Sequence, residues 1–208
     1  YTKGKEMTVT PLSPSNSSLK VMNAALAQIG VPAISSFTEN TLAARVGNLI
    51  YSDVLENSLA EYPWRFARDR VQIYQSGHVA PKPWTHVYTI PAAAIAIISI
   101  NVDGYSVPFD RFGNNIATNQ NGNTQVFAEI TSVTTPDVWP GYFRRAFTME
   151  LAASLAIPIT QDAQTAGGFK QVADGMMLRA RSRDSQGRTP SRLDTKLFIR
   201  ARRTNRGL

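Results

Sequence analysis

The chain has 208 residues, 43% of them hydrophobic, and carries 22 lysines and arginines against 15 acids for a net charge of +7. That length suits one domain, or one domain with an insertion, and the apolar fraction is enough to fill a core. With no cysteine and only two histidines, His78 and His86, the chain excludes disulfides, thiolate metal sites and a cysteine nucleophile, and argues against a histidine metal centre or a serine triad.

Charged residues make up 18% of the chain, below the ~25% of an average domain, so much of the surface is neutral polar or used in contacts. The most apolar run, Ile90 to Ile100, is far short of the ~20 residues of a membrane-spanning helix. The first six residues lack the apolar stretch of a signal peptide, so the expectation is a protein made in a reducing cytoplasm, with no membrane partner. The charge is unevenly spread. Residues 179–208 hold ten cationic side chains against Asp184 and Asp194, so the preceding 178 residues sum to −1.

In chain order, residues 1–17 are polar, with Pro11, Pro14 and several serines, and read as a loose arm. Ser17 or Ser18 is the candidate cap of a first helix with the apolar stripe Leu19, Met22, Leu26 and Ile29, stopped by Gly30. Ser36 with Glu39 forms a capping-box pattern for a second helix, with Thr38 as an alternative cap. That helix carries Leu42, Val46, Leu49, Ile50, Val54 and Leu59 and stops before Pro63.

From about Arg70 to Thr135 the period becomes alternating. Val71 and Ile73 mark one strand. Trp84, His86, Tyr88 and Ile90 mark a second, Ile95 to Val102 a third, and Val126, Ala128 and Ile130 the last. Asp103-Gly104 is a hairpin turn signal, and the asparagine- and glycine-rich stretch Phe109–Thr124 reads as loops with a second turn. This part is expected to have no full core of its own and to lean on the helices. A third helix runs from Tyr142 or Phe143 to Ile157 and ends at Pro158. A fourth runs from Gln161 to about Arg183, weakened by Gly167, Gly168 and Gly175 at about 1 kcal/mol each. The predicted class is α+β: a four-helix bundle over 18–69 and 136–183, a β insertion over 70–135 between helices 2 and 3, and a basic C-terminal arm over 184–208.

Several stretches carry a resemblance. They are Ala25-Leu26-Ala27-Gln28-Ile29-Gly30, Pro32 to Asn40, and Glu61-Tyr62-Pro63-Trp64-Arg65-Phe66-Ala67-Arg68. Further on come Trp84 with Tyr88 and Pro91, Trp139-Pro140 with Phe143, and the alanine-rich Leu151 to Ala156. In this order, over roughly residues 19 to 160, the chain resembles the tail tubular protein A family, the head-to-tail adaptors of short-tailed bacteriophages. The resemblance implies a noncatalytic virion protein assembled in the host cytoplasm, closing into a ring of twelve copies under the portal protein. It implies a tail nozzle like tail tubular protein B below, possible contact with tail fibre proteins, double-stranded DNA passing through the channel, and no cofactor. It also implies that the C-terminal segment reaches into the portal. By position, that role falls on Arg188, Arg192, Leu193, Lys196, Leu197, Phe198, Ile199, Arg200, Arg202 and Arg203.

Read from the residues alone, this arm has three alternatives: a nucleic-acid grip through phosphate neutralisation, docking into a groove of a protein partner, or a solvated tail. The cluster Leu193, Leu197, Phe198 and Ile199 favours the groove, because phosphates need no apolar anchor. Trp64, Trp84 and Trp139, with Phe66 and Phe143, read as core staples between helices and strands, or as a subunit interface. Two of Arg65, Arg68 and Arg70 are expected to pair with Glu61 and Asp69 or with a neighbouring copy. An enzyme would need two carboxylates from Asp53, Glu56, Glu61 and Glu150 brought into one pocket, and nothing in their spacing does that.

Overall fold

The computed structural model describes residues 16–120 and 125–187. The first helix, α1 (Asn16–Gln28), buries Val21, Met22, Ala25 and Leu26 and is followed by Gly30, whose φ of 73° lies in the left-handed region open to glycine. Ser17 and Ser18 lie inside this helix instead of capping it. Ser18 is buried, and the Ser17 hydroxyl donates to Asp137 Oδ2 at 2.8 Å. The expected capping box at Ser36 and Glu39 does not form either. Glu39 turns back to the Ser35 N–H and hydroxyl, two donors where the box would supply one. These bonds, that to the backbone foremost, hold the Glu39 carboxyl below its ordinary range. The second helix, α2 (Leu42–Ala60), starts later, with Thr41 as its cap accepting from Ala44 N at 3.2 Å.

After α2 the chain passes Pro63 and buries Trp64 completely, then makes a short 3₁₀ turn, Arg65–Ala67. Seven strands follow: β1 (Arg68–Ile73), β2 (His86–Thr89), β3 (Ala94–Val102), β4 (Tyr105–Val107), β5 (Phe109–Phe112), β6 (Asn115–Thr118) and β7 (Val126–Ser132). They form two antiparallel sheets with orders β1-β7-β3-β4 and β2-β6-β5. Asp103 (φ 50°) and Gly104 (φ 86°) make the β3–β4 turn, the two positive values a tight hairpin requires.

Two expectations fail here for one reason. The stretch read as loops contains β5 and β6, paired from Phe109↔Thr118 to Phe112↔Asn115 about a turn at Gly113. Four-residue strands are too short for alternation to stand out among asparagines and glycines. Their presence gives the β region a second layer, and with it a core of its own: Ile73, Tyr88, Ile90, Ile100, Val102, Ile116, Val126, Ala128 and Ile130 are all buried together.

The third helix, α3 (Gly141–Thr160), runs through Pro158 instead of stopping there. A proline this near the C-terminal end forfeits little of the ladder. The last turn is held by the Thr160 hydroxyl on Ala156 O at 2.7 Å and by Gln161 N on Ile157 O at 3.0 Å, with Gln161 at φ 58°. Asp162 caps α4 (Ala163–Gln186) through Gln164 N and Thr165 N, and bonding to Thr165 depresses its carboxyl pKa. The fourth helix also takes in Asp184 to Gln186, residues expected in the arm. Among the described residues the fold is α+β, with four helices, two antiparallel sheets, and the strands lying in sequence between α2 and α3. Among the helices α3 is central: it packs on α1, α2 and α4 and buries Phe143, Phe147, Leu151, Leu155 and three intervening alanines completely or nearly so.

Met22 of α1 packs against Gly47 of α2, where an added Cβ would stand 2.2 Å from Met22 Cε. Gly47→Ala gains about 1 kcal/mol of helix propensity but overpacks a fully buried methionine, at about 1–3 kcal/mol. We expect a net loss of stability of about 1 kcal/mol in urea unfolding, relieved when Met22→Leu is added. A stabilised Gly47→Ala would show the α1–α2 contact to be looser than described.

Candidate functional site

Two segments far apart in sequence, residues 64–66 and residues 139–147, meet at Phe143. Trp64 crosses it edge-on at 4.8 Å between ring centroids, Trp139 does so at 5.1 Å, and Phe66 lies at 4.7 Å. Phe147 stacks on Phe143 one turn along α3 and carries the chain of rings to Tyr51 and Phe37. Edge-to-face pairs of this kind place the positive ring rim against the negative face. The two indole N–H groups are satisfied internally, Trp64 on Ser58 O at 2.8 Å and Trp139 on Thr134 O and Oγ1 at 3.1 Å. Trp64, Phe66, Trp139 and Phe143 therefore staple the start and finish of the β region to the helices. Trp84 does not. It is half-buried in the turn before β2 and belongs to neither core.

The end of α4 is fixed beside this seam. Asp184 is buried and accepts from the Tyr142 hydroxyl at 2.7 Å and from the Arg65 N–H at 3.2 Å. Burial, followed by the bond to this carboxylate and its charge, pushes the Tyr142 phenol up to about 12. Sequence reasoning missed both residues. The available signal was a single acid inside an arginine run, Arg179, Arg181, Arg183, Asp184. The expected pairing of Arg65, Arg68 and Arg70 with Glu61 and Asp69 is also not what forms. Arg68 reaches Glu129 at 3.9 Å, Arg70 lies over the Phe127 ring at 4.6 Å, and the Arg65 guanidinium packs against Gly187. Cross-strand neighbours outcompete sequence neighbours because β1 lies beside β7. The ten residues assigned to the arm, Arg188 to Arg203, lie outside the described residues.

A groove of about 370 Å³ runs between α2, α3 and α4, and it does bring Glu61 and Glu150 together, with Asp174 beside them. Each acid is held by a cation. Arg181 pairs with Glu61, and Lys170 bridges Glu150 at 2.7 Å and Asp174 at 3.1 Å. Burial works against the Lys170 ammonium, yet its two carboxylate partners hold its pKa above the ordinary value. Such pairs tie three helices together. Asp53 and Glu56 are exposed and do not line this groove. His78 is exposed, and His86 Nδ1 lies 2.8 Å from Thr85 Oγ1. Among the described residues no group of three or more histidines and acids could hold a metal ion, and no helix is long and apolar enough to cross a membrane.

Set against known protein-family models and against curated proteins, the chain has no match in either.

Tyr142→Phe leaves the buried Asp184 carboxylate with one donor. We expect a loss of about 1–2 kcal/mol at neutral pH by urea unfolding. The folded pKa of Tyr142 lies above its unfolded value, so its contribution is complete below pH 10 and is lost as pH rises through about 12. The stability gap between wild type and Tyr142→Phe should therefore narrow over that window, and a constant gap would mean the hydroxyl is not Asp184's donor.

Proposed function

We propose that the chain is a structural virion protein, a ring-forming adaptor that joins the portal of a short-tailed phage to the tail nozzle and extends the DNA channel. In this reading α1–α4 are a four-helix bundle, the strands between α2 and α3 are an insertion facing the tail proteins, and residues 188–208 latch onto the portal. The observation that carries it is convergence. The stretches that resemble the adaptor family supply Phe37, Trp64, Phe66, Trp139 and Phe143, and these rings belong to one continuous aromatic seam. Trp84 and Tyr88, which belong to the same resemblance, lie outside that seam, so the support comes from the helical stretches and the joint after α2. The role asks for no catalysis: a ring transmits the portal's symmetry and gives DNA a continuous wall.

The test is direct. Purified protein, imaged by negative stain alone and with its cognate portal, should form closed rings that dock. Deletion of residues 188–208 should leave rings that no longer dock. A chain that stays monomeric with and without portal, or one that binds duplex DNA with an affinity falling steeply with salt and ignores portal, would overturn the reading in favour of a nucleic-acid-binding module.

A further inference from the structure

Two outer helix faces have no partner among the described residues and differ in charge: α2 presents Asp53 and Glu56 with the single cation Arg45, α4 presents Arg179 and Arg183. On α2, Leu42 and Leu49 are 50% and 75% exposed, and Asp53 and Glu56 follow on the same face. On α4, Val172 is 46% exposed, and Arg179 and Arg183 follow on its face. None of these four charged side chains makes an ion pair or a side-chain hydrogen bond with another described residue. The remaining charges on α4 behave differently: Lys170, Asp174 and Arg181 are all paired.

The two faces cannot satisfy each other within one subunit. The groove between α2 and α4 is lined by Val54, Ser58 and Glu61 on one side and Lys170, Met177 and Arg181 on the other. At 3.6 residues per turn, Leu49 and Glu56 fall on the side of α2 turned away from that groove, with Asp53 at its flank beside Asn57, and Val172, Arg179 and Arg183 fall on the side of α4 turned away from it. The faces therefore diverge. A surface with two unlike, mutually complementary faces joins copies head to tail.

Their spacing agrees to within one residue. Along α2, Leu42 precedes Leu49 by seven residues, and Asp53 and Glu56 follow Leu49 by four and seven. Along α4, Gly168 precedes Gly175 by seven, and Arg179 and Arg183 follow Gly175 by four and eight. A parallel alignment sets each exposed leucine over a glycine and each acid beside an arginine. At both glycines an added Cβ would meet nothing within 4 Å, so these positions are open to a neighbour's side chain. Glycine in mid-helix costs stability, and here it leaves open space beside the helix.

We infer that the α2 outer face of one copy docks on the α4 outer face of the next, through Asp53 with Arg179 and Glu56 with Arg183. This rests on the adaptor reading above and specifies its subunit contact. The experiment compares wild type with Arg179→Glu/Arg183→Glu, with Asp53→Arg/Glu56→Arg, and with all four changes together, by sedimentation velocity and negative stain. Circular dichroism melting checks folding; all four positions are exposed, so it should be unchanged. Either double variant sets like charges face to face and should raise the concentration for half-assembly about tenfold or more. The fourfold variant should restore assembly, a recovery that misfolding cannot produce. Wild type and both double variants assembling equally would overturn this contact while leaving the ring intact. Failure of the fourfold variant to recover would also overturn it. A wild type that never assembles would sink the adaptor reading and this contact with it.

Discussion

Phe143 is the point at which the chain is held closed. The rings around it come from before the strands (Trp64, Phe66), from just after them (Trp139) and from the helix that follows (Phe147). About seventy residues leave the helices and return between Trp64 and Trp139, and closing so long an excursion costs conformational entropy. Burying a large ring contributes about 1.5–3 kcal/mol, and a well-oriented aromatic pair about 0.5–1.5 kcal/mol more. The ion pairs nearby cannot match that. Lys170 and Glu61, each more than half exposed, belong to pairs of a kind worth about 0–1 kcal/mol. The seam, not the groove's charges, decides how helices and strands sit together.

The β region is less dependent on this joint than its size would indicate. Nine buried side chains lie in its own core, with Ile100, Ile116, Ala128 and Ile130 among the most enclosed. What it shares with the helices is narrower: Ile95 and Val133 pack on the helical core, and the Ser132 hydroxyl reaches Ala67 O at 3.5 Å. The β region thus has a core of its own and meets the helices through Ile95, Val133 and Ser132 and through the chain ends beside the aromatic seam.

How much of this was readable beforehand depended on the length of each element. The long helices were legible from their period, and so were Gly30 and Asp103-Gly104, where the backbone needs positive φ. The class, the grouping of strands between α2 and α3, and the roles of Trp64, Trp139 and Phe143 followed from the same patterns. Elements of four residues were not legible, because β5 and β6 offer too few positions to show alternation. Pairings were not legible either: Arg68 finds Glu129 and Tyr142 finds Asp184 across the fold, and local spacing holds no record of such partners. Trp84 misled because tryptophan usually marks a core, whereas here it sits half-covered in a turn.

The bonds at Asp184 have a mechanical consequence. The carboxylate sits two residues inside the last residue of α4, and its two donors belong to the start of α3 and to the 3₁₀ turn after Trp64. A pull applied beyond Gly187 would first have to unwind only the final turn. It then meets a cross-link that hands the load sideways into two other segments, both rooted in the Trp64–Phe143 packing. Tension is thus shared by the best-buried part of the molecule before α4 can peel away, as a cleat takes the strain of a rope.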